Sequence, residues 1–336
     1  MSRDRGPRTP RSRRRIDRRT LLAASVTALS LTASGCVVVH GEREVVPATT
    51  EAEAAQALKE FTAAYNAADK AYDTSLDAGH VTGALADIDA ARLTAGRAGS
   101  PQGNPDHAPL TLSDARFTIP KKAGWPRWFL ADAQGNKGGE SRWLFVFTRD
   151  GLDQPWEAAF LTLVAPGEVP AFKEDADGWA EPVPADSAEL AVPPEDLSQD
   201  YATYLKDGGD TFAAGPHTTG WREQRAQNAT RPGLATQYID EPVGGGDYEP
   251  LALRTADGGA LVFFATRHFE KQTAHTGSSV PTPDEAVLAL TKGEIKQSLT
   301  MEFVSNEVVL TPPRGSGDQQ VTILGRVQGL TSAQGE

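Results

Sequence analysis

Between Thr50 and Tyr72, apolar side chains recur at steps of four and three residues: Ala54, Leu58, Phe61, Tyr65, Ala68 and Tyr72. That spacing puts them along one face of an α-helix. Thr50 and Glu53 stand in capping-box spacing at its start. A second helix is predicted over about 83–97, carrying Leu85, Ile88 and Leu93. The segment "AGSPQGNPDHAP" then breaks regular structure with glycine and proline. From Leu110 the period falls to two, and "LTLSDARFTI", "PRWFLADA", "SRWLFVFTRD" and "PWEAAFLTLVA" are predicted strands, each bounded by turn residues. A further hairpin is predicted in "VPAFKEDADGWAEPVP", with Asp177-Gly178 at its turn.

The same order returns in the second half. Pro194 opens a predicted helix over "EDLSQDYATYLKDGG", with Leu197, Tyr201, Tyr204 and Leu205 on one face. A weaker helical stretch surrounds "GWREQRAQ". Strands are predicted in "GLATQYIDE", "YEPLALRTA", "GALVFFATRHFEKQ", "SLTMEFVSN", "EVVLTPP" and "QQVTILGRVQG". "RWLFVFTRD" and "ALVFFATRH" occupy equivalent places after a glycine-containing turn. Helices followed by strands, twice, predict a duplicated α+β chain with domains at 50–188 and 189–333.

The first 35 residues follow a different pattern. They hold nine arginines and two aspartates, and "LLAASVTALSLTA" from Leu21 to Ala33 carries no charge. Thirteen residues are too few for a membrane span of about 20, but suit the apolar region of a signal peptide over residues 1–35. Where cleavage falls, Ala33-Ser34-Gly35-Cys36 resembles the lipobox of bacterial lipoproteins. The resemblance implies cutting between Gly35 and Cys36, a diacylglycerol (palmitate-type) anchor on the Cys36 thiol, and a tether over 36–49. Arg18 and Arg19, in "DRRTLL", resemble a twin-arginine export signal; the general secretory route is the alternative.

Charge narrows the partners. The chain carries −12, and loss of residues 1–35 with their +7 leaves about −19. So acidic a body is repelled by nucleic-acid phosphates and has no basic hold on anionic lipid. Its membrane contact is expected through the lipid. Cys36 is the only cysteine, so no thiol remains for disulfides, catalysis or a zinc–thiolate site.

One long helix, a shorter one and a curved antiparallel sheet resemble the NTF2-like, cone-shaped fold. With "LAVPPEDL" and "VQGLTSA", the chain resembles uncharacterised secreted lipoproteins of actinobacteria with two such units in tandem. This implies a fold and a lipid-anchored place on the outer face of the cell membrane, without an activity. NTF2-like enzymes of the ketosteroid-isomerase and polyketide-cyclase type place an acidic residue or an Asp–His pair inside the cone, where apolar walls raise its pKa. No position here matches such a motif, so no catalytic residue is assigned.

His268 in "FFATRHFE" shares a strand face with Phe264 and is either a base or a packing residue. No histidine pair has metal-ligand spacing, and "DADG" lacks a calcium loop. No metal or cofactor is expected. Trp143, Phe145 and Phe147 alternate onto one face, as sheet core or as the wall of a pocket for an apolar or sugar-like ligand. Trp179, near the hairpin turn, is the tryptophan expected to be exposed. The leading expectation is a non-enzymatic module that binds another envelope protein. The alternatives are a small-ligand carrier or sensor using one cone, and an isomerase- or cyclase-like enzyme.

Overall fold

Apolar residues on both faces of a strand call for cover on both sides, and the chain supplies it in layers. The computed structural model describes residues 44–336. Arg18, Arg19, Gly35 and Cys36, with the signal peptide and the start of the tether, lie outside the described residues.

Strand β1 (Val46–Pro47) leads into helix α1 (Glu51–Ala71), where the Thr50 side chain accepts from the Glu53 amide at 3.2 Å. Helix α2 (Gly83–Gly99) follows. Strands β2 (Leu112–Thr118), β3 (Lys121–Lys122), β4 (Arg127–Gly135), β5 (Arg142–Arg149) and β6 (Glu157–Val164) complete the first half. The first sheet runs β2-β4-β5-β6, antiparallel throughout. β1 pairs separately with β3, and Ala48 and Thr49 are buried. The folded body therefore begins before Thr50, because the last residues expected in the tether are used as a strand and as core.

The second half opens with helices α3 (Leu197–Asp207) and α4 (Thr219–Asn228). Then come β7 (Thr230–Arg231), β8 (Leu234–Val243), β9 (Leu251–Arg254), β10 (Ala260–Ala274), the short helix α5 (Glu285–Leu290), β11 (Thr291–Lys292), β12 (Ser298–Thr311) and β13 (Thr322–Gly335). The second sheet runs β11-β13-β12-β10-β8-β7, and β9 shares the edge of β10 with β8. "SLTMEFVSN" and "EVVLTPP" form one strand, β12. Asn306 reads as a break in the sequence but is fully buried mid-strand, its backbone in register with Ala265 and Val327. The predicted hairpin at 169–184 reduces to a single bridge between Glu174 and Ala180. Its arms pair elsewhere, Phe172 with Thr255 and Pro182 with Leu253.

The two sheets face each other. Trp128, Leu130, Leu144, Val146 and Phe160 of the first pack with Leu261, Phe263, Ala265, Val304 and Val308 of the second. On the outer face of the first sheet, Leu58 and Phe61 of α1 cover Phe129, Phe145 and Phe147. On that of the second, Leu197, Tyr201, Tyr204 and Leu205 of α3 cover Val262, Phe264 and Val309, joined by Val183, Leu190 and Val192 of the intervening segment. The order is helix, sheet, sheet, helix, an α+β arrangement in which residues 45–336 form one unit.

Helix α2 crosses from the first half onto β13. A Cβ on Gly329 would stand 2.5 Å from Ile88 Cγ2. Gly329→Val is expected to cost about 1–3 kcal/mol through overpacking, and Ile88→Ala in the same chain to recover part of it. Urea midpoints of the single and double variants check this; independent, additive losses would show that the two positions do not share space.

Candidate functional site

Register alone assembles a row of polar groups on the outer face of the second sheet, beneath α3 and α4. His268 lies opposite Asp240 on β8 and Phe303 on β12; Thr266 lies opposite Ser305; Phe264 lies opposite Glu307, which lies opposite Arg326. Residues paired across antiparallel strands point to the same face, so these side chains converge where most core strands present only apolar ones.

Glu307 is fully buried. Its Oε1 accepts from Thr266 Oγ1 at 2.9 Å and from Arg326 Nε at 3.3 Å, and Arg326 also donates to Ser305 Oγ at 3.1 Å. Burial pushes the Glu307 carboxyl up to about 7, although Arg326 pulls in the other direction. Arg225 holds Asp240 with two hydrogen bonds, of 2.7 and 2.9 Å. This fork geometry fixes the guanidinium plane. Trp221 and Arg225, four residues apart, share one face of α4. The Trp221 ring lies 4.9 Å from the Arg225 guanidinium and 4.6 Å from that of Arg326, and Tyr238 lies 5.0 Å from Arg225.

His268 is 1% exposed and stacks on Phe303 at 4.8 Å. Burial lowers its pKa below the usual 6.5, so the ring is neutral at pH 7. Its Nε2 stands 3.8 Å from Glu270 Oε1, beyond hydrogen-bond distance. Both ring nitrogens lack a partner, as do Trp221 Nε1, Arg225 Nε and Glu307 Oε2. A buried polar atom without a partner costs about 1–3 kcal/mol, and a group of them calls for an explanation. Of these residues, Trp221 and Arg225 also line a cavity of about 210 Å³, with Arg231, Tyr238, Glu270 and Gln272. No group of three metal-ligating side chains occurs among the described residues. The arrangement is suited to holding a polar molecule through hydrogen bonds and charge.

The aromatic wall expected from Trp143, Phe145 and Phe147 lies in the other core. Phe145 and Phe147 meet Phe61 at 5.2 and 5.8 Å, Phe147 stacks on Phe129 at 5.0 Å, and Trp143 donates its indole N–H to Lys137 O at 3.0 Å. Those rings are packing, because α1 closes over them. Phe264 is packing too, edge-on to Tyr201 at 6.1 Å. Of the expected pocket residues only His268 belongs to the polar row. Trp179 is half-buried and lines a separate cleft with Phe117 and Asp132.

Sequence reasoning missed Trp221, Arg225, Asp240, Glu307 and Arg326. The available signal was a charge inside an apolar strand, as in "SNEVVL" and "ILGRVQG".

The model of a family described as a domain of unknown function, DUF8094, matches residues 45–335. The chain belongs to this family. Two Streptomyces proteins are similar over their full length and that of this chain: "Uncharacterized lipoprotein SCO2278" of Streptomyces coelicolor at 69% identity and "Uncharacterized lipoprotein" of Streptomyces avermitilis at 59%. "Uncharacterized lipoprotein SCO6871" of Streptomyces coelicolor is 28% identical over 67% of this chain and 64% of its own length. No solved structure matches the chain. The DUF8094 region thus coincides with the layered body, and the polar row lies within it. Among the described residues no helix is long and apolar enough to cross a membrane.

Proposed function

We propose that this DUF8094 protein is a lipid-anchored binding protein on the outer face of the cell membrane, without enzymatic activity. Its second half binds a small polar molecule, as a carrier or sensor does. The names of the relatives and the Gly35-Cys36 sequence support the anchor. Helices followed by an antiparallel sheet in each half, with bulges in β12–β13 and β5–β6, support two NTF2-like units. In this reading α1 plugs the first cone and the second keeps a polar interior. The observation that carries the ligand site is the polar lining of the cavity, Arg225, Arg231, Tyr238, Glu270 and Gln272 beside Trp221, where Trp221 and Arg225 also belong to the buried polar row. The expected apolar ligand gives way to a polar one because the groups at the cavity are polar.

A second reading keeps the interaction module. An apolar groove of about 630 Å³ runs between α1 and β2, lined by Leu58, Thr62, Leu110, Leu112 and Phe117, and suits an envelope-protein partner. Crosslinking on intact cells should then recover one defined partner, lost in Leu112→Glu; no partner above background counts against it.

The test of the first reading uses the mature, lipid-bearing protein in detergent, melted with amino acids, monosaccharides, hydroxy acids and nucleosides. At a hundredfold excess over Kd a ligand adds about 2.7 kcal/mol, a rise of roughly 5 °C for a chain of this size. Trp221→Ala should abolish the shift. No shift with any compound overturns the ligand site, and Cys36→Ser protein that still incorporates fatty acid overturns the anchor.

A further inference from the structure

We propose that the cleft in the first half is a separate binding site and that it takes an uncharged sugar. The ring of the sugar lies against Trp179, and its hydroxyls bond to Asp132.

The cleft measures about 430 Å³, within the roughly 300–1,000 Å³ of cavities that take small molecules. Its floor is one face of the first sheet. Arg116 on β2 lies opposite Asp132 on β4, and Thr118 follows Arg116 at the strand period, so the three side chains share that face. Its wall is the segment after β6, which brings Val169, Phe172 and Trp179.

Asp132 supplies a fixed acceptor. The residue is 6% exposed, and its Oδ1 accepts from Arg142 Nε at 2.6 Å. Arg142 is held in turn by Asp114 at 2.8 Å. Asp132 Oδ2 has no hydrogen-bond partner among the described residues, yet it keeps contact with solvent in a carboxylate that lines the cleft. Such an oxygen can accept from a ligand without any other bond being broken.

Trp179 is held as firmly. Its backbone N–H donates to Asp175 Oδ1 at 3.0 Å, and its carbonyl accepts from the Asp175 amide at 2.8 Å. The next residue, Ala180, donates to Ile119 O at 3.1 Å, and Lys121 ties the turn down through Asp175 at 2.7 Å. The ring therefore stands over the cleft before any ligand arrives, and preorganisation of this kind favours binding.

Charge selects the ligand. The Asp132 charge is already met by Arg142, so the floor calls for no cation. Glu51 and Glu174, also in the lining, repel an anion. What remains is a neutral molecule with an apolar face for the aromatic ring and hydroxyls for the carboxylate. A sugar ring has both.

Calorimetric titration of the mature protein, in a detergent without a sugar headgroup, tests this. The probes are glucose, galactose, N-acetylglucosamine, cellobiose and maltose, with glucosamine and glucuronate as charged counterparts. At least one uncharged sugar should bind. Trp179→Ala should weaken it by about tenfold or more, and Trp221→Ala should leave it unchanged. If Trp179→Ala does not fold, the native chain decides the matter with 5-fluorotryptophan at its six tryptophan positions. The bound sugar should then move the fluorine resonance that Trp179→Phe removes. Binding of no sugar overturns the inference, as does binding that leaves that resonance in place. Binding lost in Trp221→Ala and kept in Trp179→Ala puts the sugar in the second-half cavity and also overturns it. Glucosamine or glucuronate bound more tightly than every uncharged sugar overturns the choice of a neutral ligand.

Discussion

Arg326→Leu is expected to cost about 3–5 kcal/mol of folding free energy at pH 8 and clearly less at pH 5. The side chains of Arg326 and Glu307 are 5% and 0% exposed, so neither can turn to water when its partner is removed. Without the guanidinium, Glu307 keeps only the Thr266 hydroxyl on its Oε1. It can escape by taking up a proton, because burial already holds its pKa up to about 7 and loss of Arg326 raises it further. The unfolded chain releases that proton near the ordinary value of 4.5. Stability from this group is therefore greatest below pH 4.5 and falls as the pH rises toward 7, where the native carboxyl ionises. In Arg326→Leu that decline continues above pH 7, so the variant's deficit against wild type widens with pH. Glu307→Leu behaves differently. It leaves a guanidinium that cannot shed its proton, and its loss should be nearly the same at pH 5 and pH 8. The double variant, with both charges gone, should recover most of the stability. Urea unfolding of the three variants at the two pH values decides it; equal deficits for Arg326→Leu at pH 5 and pH 8 would show that Glu307 does not titrate in that environment.

Much of the layered body could be read from one stretch at a time. The face of α1 was written in Ala54, Leu58, Phe61 and Ala68, all buried, and Tyr72 ends the helix in the left-handed region at φ 50°. Helical period and turn residues are local, so they survive without knowledge of the rest. "WLFVF" and "LVFFA" announce strands buried on both faces, but not that the two strands lie in facing sheets, because a continuous apolar run names no partner. The site was less legible for the same reason. Arg225 and Arg326 lie about a hundred residues apart and approach the same indole only because β8, β10, β12 and β13 pair in one register. Three aromatic residues on one strand face suggested a pocket, whereas the cavity formed between α4 and the polar ends of β8 and β10. His268 could be placed on the correct face from alternation alone. Its role could not, since that depends on Asp240, Phe303 and Trp221 from three other elements.

Asp77→Asn is expected to change stability little at pH 4 and to raise it by about 3 kcal/mol at pH 8. Asp77 follows α1 in the turn before α2, is 2% exposed, and faces the equally buried Asp89. Arg92 serves Asp89, donating through Nη2 at 2.7 Å and Nε at 3.2 Å, while its Nη1 goes to Asp69, which also bonds His107 at 2.7 Å. One Oδ2 on each of Asp77 and Asp89 has no partner. Burial pushes the Asp77 carboxyl up to about 8, reinforced by the hydrogen bond and the charge of Asp89. The unfolded chain ionises this group near 3.8. Across the window from about 4 to 8 the folded chain retains a proton that the unfolded chain has released, so wild-type stability declines with pH and levels off above it. Asparagine has the same shape, offers Asp89 an N–H in place of the shared proton, and does not titrate. The gain over wild type should therefore grow steadily through pH 4, 6 and 8, as measured by urea midpoints at each value. A gain independent of pH would mean that Asp77 ionises in the folded chain as it does in water.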